Sequence, residues 1–232
     1  MLTSDHFVYT SYVMIVWGVS NFISLLHTTA PYGRYVREGW GFTVNAKLAW
    51  FVQELPSLVI PLCVFYKNYH GFANDIHIRV PGMIVVALFI THYFHRTIIY
   101  PLRLRNSKPI PLIPFVIAFV FCSLNGYLQA EYHMSYTIIQ PDSFFVAGII
   151  LFFCGMFVNI HSDNILRRLR SESQRGYQVP EGGMFEYVSG ANFLGEIIEW
   201  TGLAIASRTM PAIAFAIFTC CNIGPRAWHH HR

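Results

Sequence analysis

Two apolar stretches of this chain contain side chains that could do acid–base chemistry. Glu54 lies in the stretch Trp50–Ser57, and Tyr93 lies between His92 and Arg96. If such stretches cross a bilayer, a charge at the centre costs about 2.5–3.5 kcal/mol on insertion scales, so each charge is either part of a site or paired. A phenol oriented by a carboxyl group can donate a proton or hydrogen bond, so Glu54 and Tyr93 are candidate catalytic residues.

The same residues have plainer explanations. Glu54 could be a structural carboxylate paired with an intramembrane base such as Arg96, and Tyr93 alone could be an ordinary buried tyrosine. Tyr100 follows Tyr93 by seven residues and therefore shares its helix face.

A second polar stripe lies in a later apolar stretch. Asn192, Glu196 and Glu199 have i, i+4, i+7 spacing, which places an amide and two carboxyl groups on one side of a helix. The stripe could face a bound ligand, or it could be a polar interface satisfied by neighbouring helices.

A third polar group combines acceptors with arginines. Asn159 and Asp163 are four residues apart, and Arg167, Arg168 and Arg170 follow directly. Such arginines commonly anchor a protein to anionic lipid. They could equally clamp the phosphates of a nucleotide, because guanidinium groups bind phosphate in bidentate fashion.

Familiar cofactor and catalytic motifs do not occur. The chain has neither G-x-G-x-x-G nor G-x-x-x-x-G-K-[ST], so any nucleotide must be held by another design. No Ser/His/Asp or Cys/His arrangement is supported by order or spacing. The histidines, including His92, His95, His161 and His229–His231, suggest a di-iron oxygenase as an alternative. One HxxH and one HHH are fewer than its several histidine boxes require, so no metal is expected.

Composition sets the class of fold that must position these residues. Of the 232 residues, 54% are hydrophobic and 12% are charged, against about 25% charged in soluble proteins. These values exclude a soluble enzyme and a disordered chain. The net charge of +4 forms no basic stripe, so we expect no nucleic-acid partner.

The five cysteines are odd in number and form no CxxC pair, which predicts buried thiols and no disulfide framework.

A bilayer core needs roughly 20 apolar helical residues. The sequence therefore predicts an all-α membrane bundle of about seven transmembrane helices, forming a single integral domain over residues 1–232. The polar connection His161–Glu186 is predicted to be an irregular loop with short helical pieces. Four prolines, Pro56, Pro61, Pro111 and Pro114, predict kinks or late helix starts. The seven predicted spans are Phe7–His27, Leu48–Tyr66, Val80–Tyr100, Ile110–Ala130, Ser143–Ile160, Tyr187–Ser207 and Met210–Ile223.

Basic residues are distributed unevenly between the two sides of this seven-span arrangement. Twelve lie in alternate connections starting after the first span and three lie on the opposite side. By the positive-inside rule, the N-terminus is expected to be lumenal or outside and the C-terminus cytosolic. Because Asp5 stands where a cleavable signal would be basic, we expect the first span to be retained.

Six segments in this order resemble the steroid 5α-reductase family over nearly the whole chain. They are Trp50–Ser57 (WFVQELPS), His92–Thr97 (HYFHRT), Phe121–Gln129 (FCSLNGYLQ), Asn159–Arg170 (NIHSDNILRRLR), Tyr187–Trp200 (YVSGANFLGEIIEW) and Arg226–Arg232 (RAWHHHR). The resemblance implies a seven-helix protein of the endoplasmic reticulum that uses NADPH to reduce the Δ4 double bond of 3-oxo steroids taken from the bilayer.

The resemblance also implies roles for matching positions. Glu54 and Tyr93 would bind the steroid 3-ketone, and Trp50 would form an aromatic wall between steroid and nicotinamide. The expected NADPH-binding residues are Tyr100, Arg105, Asn159, Asp163, Arg170, Asn192, Glu196, Arg226 and His230.

The chain also departs from the family pattern. Family members extend about twenty residues beyond the segment that matches Arg226–Arg232, and that extension includes a tyrosine that contacts the cofactor. Ile117 and Gln178 replace basic residues found in the family or one of its branches. A related enoyl-CoA or polyprenol reductase and an inactive steroid- or lipid-binding protein remain alternative hypotheses.

Overall fold

Seven long helices form the molecule, as the apolar runs predict. The computed structural model describes residues 3–69, 76–172 and 178–231. Within these ranges, a short α-helix, α4 (Tyr100–Arg103), and short 3-10 and π-helical turns accompany the long helices. The long helices are α1 (Ser4–His27), α2 (Ala46–Tyr69), α3 (Ile76–Phe94), α5 (Leu112–Glu131), α6 (Ser143–Glu172), α7 (Ala191–Ser207) and α8 (Met210–His231).

In the part of the chain that the structure describes, five helical segments are long and apolar enough to cross a membrane. Helices α7 and α8 complete the seven-helix bundle, and they correspond to the two predicted spans with the least apolar character. The fold is thus an all-α, multi-pass membrane bundle. The five segments are Ser4–His27, Ala46–Asn68, His77–Arg103, Leu112–Tyr136 and Ser143–Leu169.

Two helices extend past the ends of their apolar runs. Helix α6 continues to Glu172, so the prediction of an irregular connection from His161 is wrong for its first turns. Helix α8 continues to His231 instead of ending near Ile223. Hydropathy marks the thickness of the apolar layer, whereas a helix continues as long as its backbone hydrogen bonds and packing favour it.

The four prolines lie inside a helix or at the start of one. Pro56 and Pro61 lie inside α2, and Pro111 is the N-cap of α5. The structure adds a π-helical segment, His95–Ile99, between α3 and α4. Pro101 lies two residues after this segment and has no N–H, so it cannot continue the regular bonding pattern of α3. Segments of this kind are frequent at functional sites, and this one contains Arg96.

Helices α6 and α7 pack backbone against backbone through glycines. A Cβ atom on Gly155 of α6 would lie 2.3 Å from the backbone nitrogen of Glu199 on α7. One on Gly202 of α7 would lie 2.5 Å from the backbone nitrogen of Phe152. Small residues allow such approach between membrane helices, so α7 is held in the bundle although it carries two glutamates.

Aromatic rings fill the space between α1, α5 and α8. The Trp17 ring packs against Phe121 and Phe218 at 5.7 and 5.5 Å, and Phe121 stacks on Phe218 at 4.1 Å. We call Trp17, Phe121 and Phe218 the aromatic cluster. It adjoins a buried core that includes Phe215 and Trp200.

A two-residue strand pair joins the connections that precede α2 and α5. Strand β1 (Thr43–Val44) pairs antiparallel with β2 (Ile110–Pro111). The backbone N–H of Leu112 also donates to the carbonyl of Phe42 at 2.9 Å. The two helices therefore start at the same end of the bundle. We call this the basic end, because Arg34, Arg37, Lys47, Arg103, Arg105 and Lys108 lie in its connections or next to them.

Candidate active site

The predicted acid and phenol lie on neighbouring helices of the bundle. Tyr93 on α3 is 5% exposed and Glu54 on α2 is partly buried. Helices α2 and α3 pack against each other, so both side chains belong to the same region of the interior. Cys122 on α5 completes this group, because its thiol donates to Glu54 Oε2 at 3.6 Å.

Close packing of α2 on α5 explains why these groups meet. A Cβ atom on Gly126 of α5 would lie 3.1 Å from both the carbonyl oxygen of Pro56 and the Cα of Ser57. The Ser57 hydroxyl donates to the backbone carbonyl of Cys122 at 3.0 Å. Ser57 is completely buried, so this hydrogen bond crosses a dry interface between the two helices.

Arg96 connects this group to the basic end. Its guanidinium lies 4.8 Å from the ring centres of both Trp50 and Tyr100. It pairs with Asp163 on α6 at 3.4 Å and with Glu196 on α7 at 3.8 Å. The ion pairs of Arg96 therefore go to α6 and α7, in contrast to the alternative in which Arg96 neutralises Glu54 as a structural pair.

The polar stripes of α6 and α7 face each other. Asn192 donates from its side-chain amide to Asp163 Oδ1 at 3.2 Å, and Asn159 donates to the backbone carbonyl of Asn192 at 2.8 Å. Two of the three predicted stripe residues on α7, Asn192 and Glu196, thus belong to the same polar network as Arg96.

The third stripe residue, Glu199, has a different partner. Its Oε1 atom lies 2.8 Å from Nδ1 of His92 on α3, and both side chains are buried. Oε2 of Glu199 and Nε1 of the adjacent Trp200 have no hydrogen-bond partner in the part of the chain that the structure describes. His92 and Glu199 therefore form a buried α3–α7 link beside Tyr93.

A cavity of about 670 Å³ opens at the basic end. Its volume lies within the range of small-molecule and cofactor sites. Neither Glu54 nor Tyr93 lines it, whereas Trp50, four residues before Glu54, and Arg96, three residues after Tyr93, both do. The predicted site residues that line it are Trp50, Tyr100, Arg105, Asp163, Asn192, Arg226 and His230, and further basic lining residues are Arg34, Arg96, Arg103, Lys108 and Arg167.

Aromatic faces bound one part of this cavity. The Arg226 guanidinium lies 4.6 Å from the ring centre of Tyr32 and 5.0 Å from that of Phe193. Burial raises the pKa of Tyr32 above its ordinary value although the charge of Arg226 opposes the shift. The His230 ring lies 5.5 Å from Tyr35 and 6.0 Å from Phe193. The cavity thus offers cations and flat rings together, which suits an elongated anionic ligand with aromatic groups.

The two remaining predicted site residues are Arg105 and Arg170. Arg105 lines the cavity and is exposed. Arg170 belongs to α6 by its backbone, and its side chain lies outside the described residues.

Histidines and cysteines do not gather into a metal site within residues 3–69, 76–172 and 178–231. His229 contacts the carbonyl of Leu25 at 2.7 Å and His231 contacts the Ser189 hydroxyl at 2.7 Å. Cys63 and Cys154 are exposed and Cys122 is buried.

Sequence reasoning missed five residues of the site. From the sequence alone, Arg96 is given a role only as a counter-ion of Glu54, although an intramembrane arginine is itself a signal of function. Tyr32 and Phe193 are ordinary aromatic residues in sequence, and Ser57 and Cys122 are small enough to pass for helix-packing residues. Only the packing of the helices shows that these four belong to the site.

These features define a class of protein: an all-α membrane bundle with a partly buried acid and a buried phenol on neighbouring helices, and a cationic cavity at one end. A sequence profile described as 3-oxo-5-alpha-steroid 4-dehydrogenase matches residues 108–232. The chain is 42% identical over 226 residues to 3-oxo-5-alpha-steroid 4-dehydrogenase 1 of Bos taurus, covering 96% of this chain and 87% of that protein. It is 46% identical over 192 residues to 3-oxo-5-alpha-steroid 4-dehydrogenase 2 of Homo sapiens, covering 81% and 73%.

The chain belongs to the 3-oxo-5-alpha-steroid 4-dehydrogenase family. It is therefore a steroid-metabolising oxidoreductase by family, and the family implies a reduced nicotinamide cofactor.

Proposed function

We propose that this chain forms one integral domain that reduces the Δ4 double bond of 3-oxo steroids to 5α-dihydro products with NADPH. The observation that carries the proposal is the contact of Glu54 with Cys122 on a helix that packs against the helix of Tyr93, together with a cationic cavity at the basic end. The names of the relatives support the same reaction class.

The acid–phenol pair can stabilise the charge that develops in this reaction. When hydride adds to C5 of a conjugated enone, negative charge develops on the 3-oxygen. Tyr93 would donate a hydrogen bond to that oxygen, with Glu54 orienting the phenol. The pair lies in a dry interior, where such a hydrogen bond is strongest. A proton added at C4 then completes the saturated ketone.

The residues of the cavity fit NADPH, which supplies the hydride when bound. Arg96, Asp163, Asn192 and Glu196 would hold its nicotinamide end next to Trp50. Trp50 precedes Glu54 by one helical turn, so it would form the wall between steroid and nicotinamide.

The outer part of the cavity would bind the rest of the cofactor. Arg226 with its flanking rings would hold the adenine end, while Tyr100 and His230 would complete the lining. Asn159 would act from behind the lining, by holding the backbone of Asn192. Arg105 and Arg170 would bind phosphates, with Arg170 assigned to the 2′-phosphate that distinguishes NADPH.

The distribution of basic residues supports an orientation in the endoplasmic reticulum membrane. The basic end would be cytosolic, as would the C-terminus, which places the cavity on the side where NADPH is available. An apolar steroid would reach Tyr93 from the bilayer.

Turnover of steroids tests this function directly. Membranes containing the chain, supplied with NADPH and testosterone or progesterone, should form the 5α-dihydro product. Glu54→Gln and Tyr93→Phe should each lower turnover by about 100-fold or more, because each removes a group that acts on the developing charge, while NADPH binding persists.

Tyr9→Phe is the matched control, since Tyr9 is 70% exposed on α1. Folded wild-type protein that binds NADPH and forms no steroid product would refute the proposal. A substrate panel that includes an enoyl-CoA and a polyprenol distinguishes a related reductase, and steroid binding without turnover identifies an inactive binding protein.

A further inference from the structure

Resting on that proposed function, we infer that Trp200 and Glu199 of α7 are positioning residues for the Tyr93 phenol. Trp200 packs against the phenol ring, and the contact of Glu199 with His92 fixes α7 against α3 at the same level of the bundle.

Rings from two helices surround the side chain of Tyr93. The Trp200 ring lies 6.0 Å from the Tyr93 ring, centre to centre, with only 29° between the two planes. Phe89 contacts Tyr93 at 4.6 Å, and the His92 ring lies edge-on at 5.1 Å. Of these three rings, only Trp200 belongs to another helix. Because the phenol oxygen lies on the axis from Cβ through the ring, the first side-chain torsion alone decides where it points, and a ring stacked from α7 restricts that torsion.

A buried polar contact lies one residue away on both helices. Glu199 precedes Trp200, and His92 precedes Tyr93. Glu199 Oε1 lies 2.8 Å from His92 Nδ1, and neither side chain is more than 5% exposed. Breaking this contact would leave two polar groups unpaired in a dry interior, so it opposes sliding of α7 along α3.

Helix α7 gives Trp200 a rigid support. A Cβ atom on Gly155 of α6 would overlap the backbone nitrogen of Glu199. Trp200 itself is 1% exposed, and its ring packs against Phe152 of α6 at 6.0 Å and Phe215 of α8 at 4.4 Å. The ring that meets the phenol is therefore held from α6 and α8 as well as from α3.

The same face of α7 reaches the end of the site assigned to the nicotinamide. Glu196 pairs with Arg96 at 3.8 Å, and these two residues lie about one helical turn from Trp200 and Tyr93, respectively. Helix α7 would thus set the distance between the hydride donor and the phenol. Small errors in such a distance lower the rate of the chemical step more than they lower binding.

A graded series at Trp200 tests the inference by binding. Competition between a 3-keto steroid and its 3-deoxy analogue reports how well Tyr93 recognises the ketone. We expect the preference for the 3-keto ligand to fall about 2-fold in Trp200→Phe, which keeps a smaller ring, and about 5-fold in Trp200→Leu, which removes it. Phe7→Leu is the control for loss of packing, because Phe7 is 3% exposed and packs against Tyr127, Tyr132 and Tyr136 instead of Tyr93.

A double-mutant cycle asks whether Trp200 acts through Tyr93. In the Tyr93→Phe background the ketone has lost its donor, so Trp200→Leu should not lower the 3-keto preference further. A purely structural role would weaken both ligands equally and leave the preference unchanged. An equal fall of the preference in both backgrounds would show that Trp200 acts independently of the phenol, and either result overturns the inference for Trp200.

Turnover examines Glu199 separately. Glu199→Leu removes the partner of His92, whereas Glu199→Gln can still bond to it. We expect kcat for steroid reduction to fall about 5- to 10-fold in Glu199→Leu and to stay within about 2-fold of wild type in Glu199→Gln, with the KM for NADPH unchanged in both. Equal kcat in the two variants overturns the positioning role of Glu199.

The outcomes separate this inference from the proposed function. Active wild-type protein whose 3-keto preference is the same in the Trp200 series overturns the inference and leaves the proposed function standing. Wild-type protein that binds NADPH but does not reduce steroids refutes the proposed function, and the inference with it. If Trp200→Leu does not fold, Trp200→Phe decides the question against Phe7→Leu.

Discussion

The α6–α7 interface and the aromatic cluster between α1, α5 and α8 solve the same packing problem differently. A Cβ atom on Gly155 would lie 2.3 Å from the backbone of α7, whereas one on Gly18 of α1 would lie 3.1 Å from the Cα of Phe218 and 3.3 Å from its ring. The first interface is backbone on backbone. The second is made largely of side-chain rings, which can rotate.

The difference matches what each region must hold. Helices α6 and α7 carry Asn159, Asp163, Asn192 and Glu196, whose hydrogen bonds and ion pairs tolerate little displacement. Backbone contacts fix the spacing of these groups. The aromatic cluster carries no such network in the described part of the chain, and rings that repack can make room for an apolar ligand. Four predictions test this contrast.

Loss of the buried acid on α7 should have the largest effect on stability. Glu199→Ala leaves His92 buried without its partner, and breaking such a pair costs about 3–5 kcal/mol. Glu199→Gln, which can still bond to His92, should lose less. The midpoint of thermal unfolding in detergent measures both. Glu38→Ala, at an exposed position, is the control, and an unfolding midpoint for Glu199→Ala equal to that of the control would contradict the prediction.

Enlarging a glycine at the α6–α7 interface should have the second-largest effect on stability. Gly155→Ala places a methyl group against backbone atoms that cannot rotate away, which we expect to destabilise the protein by about 3 kcal/mol. Gly224→Ala on α8 is the matched control, because nothing lies within 4 Å of its Cβ position. Thermal unfolding and NADPH binding should both be impaired in Gly155→Ala only. Equal stability of the two variants would mean that α6 and α7 are not locked by backbone contact.

Enlarging a glycine beside the aromatic cluster should destabilise the protein less than Gly155→Ala does. Gly18→Ala meets the Cα and the ring of Phe218 at 3.1 and 3.3 Å, and the ring can move. We expect a loss of about 1 kcal/mol, partly offset by the better helix propensity of alanine. Unfolding midpoints measured beside Gly155→Ala give the ranking, and a larger loss for Gly18→Ala would reverse the contrast.

The smallest expected effect on stability is at Asp142, which lies at the end of the α6–α7 pair opposite the basic end. The N–H of Phe145 and the Arg208 guanidinium hold the pKa of Asp142 below its ordinary value of 3.8. The charged form is therefore favoured by folding, and its contribution is present above pH 3.8 and is lost as the pH falls through the folded pKa.

Asp142→Asn should remove this pH dependence and slightly lower stability at pH 7. Unfolding midpoints at pH 7 and pH 3, in low and high salt, measure it. Because the pair is exposed, the difference should shrink in high salt. A variant that keeps the acid sensitivity of the wild type would exclude Asp142 as its source.

Much of the fold could be predicted because a bilayer restricts the choices. Long apolar runs must be helical, since no water is present to satisfy the backbone. The ends of α6 and α8 could not be predicted in this way, because polar residues beyond the apolar layer remain helical. The seven-residue spacing of Gly148 and Gly155, and of Gly195 and Gly202, was a usable signal for the α6–α7 contact.

The site was predictable where a residue conflicts with its surroundings. Glu54 and Glu196 stand out as charges in apolar helices, and the structure gives each a polar partner, Cys122 for Glu54 and Arg96 for Glu196. Ser57 and Cys122 cause no such conflict, since both suit a helix interface. Their importance depends on α5 lying against α2, and a helix sequence does not name its neighbour. The functional roles of all these residues remain predictions.

The strand pair β1–β2 fixes the position of Glu54 along α2 relative to that of Cys122 along α5. Helix α2 begins two residues after β1 and α5 begins directly after β2, with Glu54 and Cys122 each two to three turns farther in. A slip of one residue between the helices would shift one against the other by about 1.5 Å, enough to separate a thiol from its carboxylate. The four paired residues at the basic end therefore help to keep Cys122 in contact with Glu54, two to three helical turns away.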